Sequence, residues 1–326
     1  MATYLITGGA GFIGSHLSDL LIARGNRLRI FDNMSTGQAQ NLHPEAELVQ
    51  GDITDAAAVT RALDGVDGVF HLAGVSSVLA YATDWAASGK VNAFGSFTVF
   101  EAAALAKLPL VYASSAAIYG NPVQLPLTEE VPPRPISGYG ADKFGNELHA
   151  AAMADVLGLS AVGLRFFNVY GPRQLPNSAY SGVITVFLNR WREGKPLTVF
   201  GDGSQTRDFV FVKDAARALS AAMEVAQRQK TIGGHAVFNI CSGHATSLLD
   251  LIAAMSCAIG VPLDVVYAPA RSGEIMASLG APNAATRLLG FTVETDLVTG
   301  LAQTITTQKP TLNTSGEIPA PTRQEF

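Results

Sequence analysis

The chain has 326 residues, 48% of them hydrophobic and 15% charged, enough to bury a large core in two lobes. Its formal charge of -5 comes without a Lys/Arg cluster, which argues against a nucleic-acid surface, because phosphate backbones require a concentrated basic patch. Cys241 and Cys257 lack paired spacing and the six histidines form no HxxxH or HExxH pattern, so neither a structural metal nor a disulfide is expected. With no apolar run approaching a membrane span and a first strand entered directly, the cytoplasm is the expected address.

In chain order, short apolar runs alternate with helix-like segments. YLIT is a first strand, and TGGAGFIGSHL, residues 7–17, follows it and opens a helix, the context a glycine-rich dinucleotide loop requires. In its GxxGxxG spacing Gly8 allows a tight turn, Gly11 lets backbone approach a pyrophosphate, and Gly14 lets helix and strand pack closely; Phe12 and Ile13 stand at the helix start. The second strand, RLRIFD, ends about twenty residues on in Asp32, where a carboxylate accepts both ribose hydroxyls and repels a 2′-phosphate. Its neighbour is Asn33 rather than Arg, so the expected cofactor is NAD, not NADP. After the third strand, ELVQGD, Asp52 and Ile53 sit where an adenine edge would lie, and a helix N-cap is the competing reading, stronger for Asp55 than for Asp52. The fourth strand, GVFHLAG, ends in Leu72, Ala73 and Gly74, where small residues let backbone reach a cofactor, and His71 reads as a packed strand-end histidine.

An Ala-rich segment near 86–106 leads to the strand LPLVYA and then to SSAAIYG, residues 114–120, which sets Ser115 at a strand end with Ala116 and Ala117 behind it. A helix over about 138–157 carries YGADK, with Tyr139 and Lys143 at i and i+4 on one face. A free tyrosine titrates near 10, so Tyr139 becomes a base near neutrality only beside a cation, here Lys143 together with a nicotinamide charge. The next strand, AVGLRFF, contains Arg165, read as structural. This alternation predicts an α/β fold, a Rossmann-like doubly wound parallel sheet over residues 1–170. Regularity breaks at NVYGPRQLPNSAYSG. A smaller mixed α/β substrate lobe is expected over 171–205 and 241–307, with residues of about 206–240 packing back on the first sheet and 308–326 forming a frayed tail.

Together, TGGAGFIGSHL, Asp32, HLAG, SSAAIYG and YGADK resemble the extended short-chain dehydrogenase/reductase family, in its nucleotide-sugar epimerase/dehydratase branch. GDGSQTRDFVFVKD (201–214) and RSGE (271–274) extend the resemblance over almost the whole chain. It implies an NAD enzyme in which Ser115 hydrogen-bonds a sugar 4-hydroxyl while Tyr139 takes and returns the proton and Lys143 assists. Branch members that dehydrate or decarboxylate a sugar carry an acid in the slot of Ala116 or Ala117; two methyl groups leave the minimum for reversible oxidation at one carbon. Alanines that merely fill a close-packed strand end would look the same.

The resemblance further implies Arg207 and Arg271 on a diphosphate, whose oxygens suit the guanidinium fork, with Asn168 in the same region. It places Val183 and Phe200 beside a uracil and Ser77 near the sugar. Ser278, seven residues after Arg271, is implied as a size gate whose small side chain favours a 2-acetamido sugar or a related uronic acid. The expected activity is 4-epimerisation of a UDP-sugar, in the supply of surface-polysaccharide precursors. A one-way 4-ketoreductase or another nucleotide-sugar modifying enzyme, and a non-catalytic NAD-sensing or scaffold protein on the same fold, are the alternatives. A homodimer is expected through the helices near 88–106 and 138–157, whose EAAALA and ELHAAAMA stretches are small enough for close approach, unless those alanines face their own sheet.

Overall fold

Residues 1–76, 78–175, 182–229, 233–270 and 275–307 are described by a computed structural model. The strands are β1 (Thr3–Thr7), β2 (Arg27–Asp32), β3 (Glu47–Gln50), β4 (Gly68–His71), β5 (Leu110–Ser115), β6 (Ser160–Phe166), β7 (Asn168–Tyr170), β8 (Leu197–Phe200), β9 (Thr206–Arg207), β10 (Phe209–Phe211), β11 (Gly234–Ile240), β12 (Thr246–Ser247) and β13 (Val265–Ala268). The helices are α1 (Phe12–Ala23), α2 (Ala56–Ala62), α3 (Val78–Thr83), α4 (Trp85–Gly89), α5 (Ser96–Leu105), α6 (Gly138–Leu157), α7 (Val183–Arg192), α8 (Val212–Gln229), α9 (Leu248–Ile259), α10 (Asn283–Leu289) and α11 (Leu297–Thr307). A π-helical turn, Lys90–Gly95, joins α4 to α5.

Seven strands form one parallel sheet in the order β11-β6-β5-β4-β1-β2-β3. Successive side chains of a strand point to opposite faces, so strands covered on both sides must be apolar throughout. Tyr4 and Ile6 enter a core with Leu17 of α1 and Leu219 of α8, while Leu5 between them enters a second core with Val59, Phe100 and Ala150 of α2, α5 and α6. Val111 and its neighbours Leu110 and Tyr112 divide in the same way. The sheet is the doubly wound one that the alternation predicts. From β1 the chain moves outward to β2 and β3, then returns to β4 on the other side; that reversal opens a crevice at the carboxyl ends of β1 and β4.

A third core joins Ile184 and Phe187 of α7, Leu197 and Val199 of β8, Leu251 and Met255 of α9, and Leu301 of α11. The chain does not simply stay there once it arrives: α8 lies beside α1 on the main sheet and β11 extends that sheet past β6. Helix α10, expected with the substrate lobe, instead packs on α8 and β11, since Ala285 and the following Phe291 are buried in the first core.

Candidate active site

At the crevice β1 ends in Thr7 and turns at Gly8, whose φ of +71° suits a residue without a side chain. A Cβ at Gly8 would stand 2.6 Å from the Ala73 nitrogen, so the glycine loop and the end of β4 touch through backbone. Gly11 is the N-cap of α1, where no side chain among the described residues caps the helix and no acid occupies the first turn. Its first N–H groups are therefore directed at the crevice with an anion as their natural partner. Phe12 and Ile13 lean on the third core, and Gly14 packs where a Cβ would collide with the Gly8 carbonyl.

Asp32, at the end of β2, is 8% exposed. Its Oδ2 accepts from Ala10 N–H at 3.0 Å and its Oδ1 from Met34 N–H at 2.9 Å. A carboxylate has about four acceptor sites, so two are left for ribose hydroxyls. A glycine turn closed to side chains, an uncapped helix start and an acid at the neighbouring strand end together fit a dinucleotide such as NAD. Asn33 Nδ2 reaches Asp52 Oδ2 at 3.1 Å, and Asp52 Oδ1 accepts from both the N–H and the hydroxyl of Thr54 at 2.8 Å, bonds that hold its carboxyl below the usual range. Asp52 thus caps a turn, Asp55 caps α2 through Ala58 N–H, and the Ile53 side chain is turned into the second core.

Behind the crevice runs a buried polar chain. Thr7 Oγ1 accepts from Ala73 N–H at 3.2 Å and meets His71 Nδ1 at 2.8 Å; His71 Nε2 meets Ser96 Oγ at 3.0 Å. Ser96 gives its proton to the Asn92 carbonyl at 2.6 Å, so it accepts from His71, which assigns the imidazole proton to Nε2 and makes Thr7 the donor to Nδ1. Burial, with the Lys143 charge as the smaller cause, pushes His71 down to about 3, and the ring is neutral. It is the packed strand-end histidine expected, with no proton to trade.

Helix α6 carries Tyr139 and Lys143. Ser137 caps it through Gly140 N–H at 3.1 Å, and Gly158, at φ +71°, ends it. Tyr139, half-buried in its first turn, lies beside Ser115 at the end of β5, and Ser115 Oγ accepts from Ala117 N–H at 3.1 Å. Lys143, 6% exposed, lies one turn on with Nζ 5.9 Å from the Tyr139 ring centre and donates to the Ala113 carbonyl at 2.9 Å. Burial lowers its ammonium to about 8, against the attraction of Asp142. Burial also raises the Tyr139 phenol, with only the Ser115 hydroxyl opposing. The phenol is thus raised in the protein alone, and the phenolate expected from YGADK is one formed beside Lys143 together with a nicotinamide charge.

On the other side, Arg207 Nη1 donates to the carbonyls of Thr206 and Ile275 at 2.8 and 2.7 Å. Ser278 is half-buried, with its N–H on the Thr206 carbonyl at 3.2 Å, so Arg207 and Ser278 are neighbours across one strand-like contact. The same segment crosses to Leu127, whose N–H donates to the Leu279 carbonyl at 2.8 Å. Asp208 anchors it, its buried carboxylate accepting from Ser242 N–H and Oγ, Gly243 N–H and Gly280 N–H. Asn168 is exposed at the start of β7, Val183 begins α7, and Phe200 ends β8 with its carbonyl bound by Gln205. Ser77 and Arg271 lie outside the described residues. Among the described residues no group of His, Cys, Asp and Glu is arranged to hold a metal, and no helix is long and apolar enough to cross a membrane.

The model of the NAD dependent epimerase/dehydratase family matches residues 4–241. The chain belongs to this family. A UDP-glucose 4-epimerase of Mycolicibacterium smegmatis is 35% identical over 309 residues, covering 92% of this chain and 96% of that protein. The structure of a UDP-glucose 4-epimerase from Thermotoga maritima with UDP-glucose superposes with a TM-score of 0.87 at 35% identity, over 94% of this chain and 98% of the other. A UDP-N-acetylglucosamine 4-epimerase from Methanobrevibacter ruminantium, in complex with UDP-N-acetylmuramic acid, superposes with a TM-score of 0.87 at 32% identity, over 94% and 97%.

In this epimerase/dehydratase family member several site residues escape the sequence. Asn92, Tyr81 and Asp142 form a hydrogen-bonded group behind Lys143, and Glu147 forms a buried pair with Arg165 at 2.7 Å while accepting from Ser114 Oγ at 2.5 Å. Only Asp142 carried a signal, since it lies inside YGADK between Tyr139 and Lys143. Arg165 is structural, as read.

Proposed function

We propose that the chain is a UDP-sugar 4-epimerase that retains NAD through its cycle and acts on a UDP-N-acetylhexosamine or a related uronic acid. The observation that carries this reading is the placement of Tyr139 beside Ser115 at the end of β5, with the Lys143 ammonium 5.9 Å from the Tyr139 ring centre and only the methyl groups of Ala116 and Ala117 following Ser115. NAD supplies a reversible hydride acceptor, and net redox change is zero. Ser115 orients the sugar 4-hydroxyl, Tyr139 takes its proton and returns it, and the Lys143 charge favours the phenolate. No carboxyl stands in the two slots after Ser115 to assist elimination or decarboxylation. The main sheet carries the cofactor; segments 171–205 and 241–307 apart from α10, with Arg207, Arg271, Asn168, Val183 and Phe200, hold the nucleotide, and Ser77 and Ser278 face the sugar. The likeness to a protein named for UDP-N-acetylglucosamine supports the choice of sugar.

Incubation with UDP-hexoses, UDP-N-acetylhexosamines and UDP-uronic acids, with products resolved by chromatography, tests class and substrate together. Interconversion of C4 epimers without added NADH is expected; stoichiometric consumption of NADH or NADPH would instead identify a ketoreductase. Ser278→Tyr should lower the preference for N-acetylated over plain UDP-hexoses at least about tenfold, from an overpacking cost of about 1–3 kcal/mol. Equal losses on both classes, or none on either, would remove Ser278 from the sugar pocket.

The same reading includes a homodimer, by a surface different from the one the alanines suggested. Ala103, Ala104, Ala150 and Ala154 are buried in the chain's own core. The stripe left outward on the two helical segments is Phe94, Leu105, Leu148 and Val156, each more than half exposed. Leu148→Glu with Val156→Glu should convert the dimer to a monomer in light scattering, because two charges at the centre of an apolar interface cannot be desolvated cheaply. A wild-type protein that is already monomeric at micromolar concentration would end the dimer proposal.

A further inference from the structure

Strand β9 consists of Thr206 and Arg207 alone, too short to be fixed by its own ladder. It is flanked on both sides. Thr246 and Ser247 of β12 pair with it antiparallel on one side, and on the other Thr206 N–H donates to the Met276 carbonyl at 2.9 Å while the Thr206 carbonyl accepts from Ser278 N–H. The next residue, Asp208, ties these segments together. Its Oδ1 accepts from Ser242 N–H at 2.6 Å and Ser242 Oγ at 2.7 Å, in the turn before β12, and its Oδ2 from Gly243 N–H at 3.0 Å and Gly280 N–H at 3.2 Å. A Cβ on Gly280 would stand 2.6 Å from Cys241 Sγ and 2.7 Å from the Phe167 ring, so only a glycine brings its N–H this close. The Asp208 carbonyl accepts in addition from Asn168 N–H at 3.0 Å, where β10 meets β7.

We propose that Asp208 is a positioning residue of the UDP-sugar site, setting Arg207 and Asn168 on the diphosphate side in register with Ser278 on the sugar side. The proposal rests on the epimerase reading for the identity of the ligand. Asp208 is fully buried, and a carboxylate has about four acceptor sites, all of which are taken. It has nothing left to offer a ligand; what it determines is where its neighbours stand. The four side-chain bonds go to Ser242, Gly243 and Gly280, none of them in the loops and helices that carry Gly8, Asp32, Tyr139 and Lys143, so cofactor binding and the proton transfer are outside its reach. In Asp208→Asn an amide NH2 replaces one oxygen. One orientation of the amide leaves Ser242 N–H facing a donor, and the other leaves Gly243 N–H and Gly280 N–H doing so. Donors stranded in the interior draw apart, and the segments that carry Arg207 and Ser278 move with them.

The test compares wild type, Asp208→Asn and Ser242→Ala for UDP affinity by calorimetry, bound NAD, the urea midpoint, and KM and kcat on the UDP-sugar that the wild type epimerises. Asp208→Asn should weaken UDP at least about tenfold and raise KM in step, since small displacements of binding groups are costly, while bound NAD and kcat stay within about twofold. Ser242→Ala loses the Oγ bond and keeps the N–H, so it should weaken UDP by less. It decides the matter if Asp208→Asn does not fold, and normal UDP binding by it would then overturn the proposal. A purely structural role would lower the urea midpoint and leave the folded protein binding UDP normally, which also overturns it, as would parallel loss of UDP and NAD or a fall in kcat at unchanged KM. A wild type that binds no UDP strikes the nucleotide from the epimerase reading and the proposal with it, whereas wild-type affinity in a folded Asp208→Asn strikes the proposal alone.

Discussion

Tyr139→Phe is expected to keep NAD bound and to lose at least about a hundredfold in turnover, the usual weight of a positioned proton-transfer group. The substitution deletes one oxygen and leaves the ring, so the packing of α6 on β5 is preserved. What disappears is the hydroxyl beside Ser115, the atom that would accept the sugar proton. The phenol is raised by burial in the protein alone, so the remaining activity should be set by whatever water can do in its place. Turnover and bound NAD are measured on the same preparation. Near-normal turnover would take Tyr139 out of the chemistry, and loss of NAD together with turnover would place it in cofactor binding instead.

Glu147→Ala should cost about 3–5 kcal/mol of stability, because it strands a charged guanidinium in the interior. Glu147 and Arg165 are each 4% exposed, and the pair is bidentate, Nε to Oε1 at 3.0 Å and Nη2 to Oε2 at 2.7 Å. Two more Arg165 hydrogens go to the Tyr119 hydroxyl and the Glu129 carbonyl, and with the side chain buried little solvent is at hand to replace the lost carboxylate. The urea midpoint is the measurement, with Glu147→Gln expected to lose less, since it keeps an acceptor. A cost under about 1 kcal/mol in Glu147→Ala would show that the interior rearranges around the bare arginine.

The parts of this molecule that could be read from the sequence are those whose physics is local. YLIT and LPLVYA are apolar at every position because both faces of their strands are covered, and that requirement is visible without knowing what covers them. Tyr139 and Lys143 share a helix face by spacing alone. Thr7, His71 and Ser96 could not be read as one chain of hydrogen bonds, since each contact spans 25 residues or more and each residue by itself is ordinary. Tyr81 and Asp142 are 61 residues apart for the same reason. Alanine misled in the dimer surface: a small side chain permits close approach to a partner helix and to the chain's own sheet equally well, and here the sheet has it. The bonds of Asp52 to its own turn were not legible either, because a strand-end acid can serve a ligand, its own turn or both, and Thr54 stands two residues away.

The position of α8 has a consequence for the order in which the molecule can be made. Val111, Val162 and Leu164 share a core with Leu219 and Met223, so one face of β5 and β6 is covered by a helix encoded far downstream of them. A growing chain that has emerged only to residue 170 already contains β1 to β6 but has nothing to lay over that face, and β6 still has an open edge where β11 belongs. The break in composition after Tyr170 is therefore not a place where synthesis can pause on a finished unit. An N-terminal fragment ending there would present a broad apolar surface and an unpaired strand edge, the two features that make partly folded chains associate with one another. Completion of the main sheet has to wait for the residues that reach Ile240.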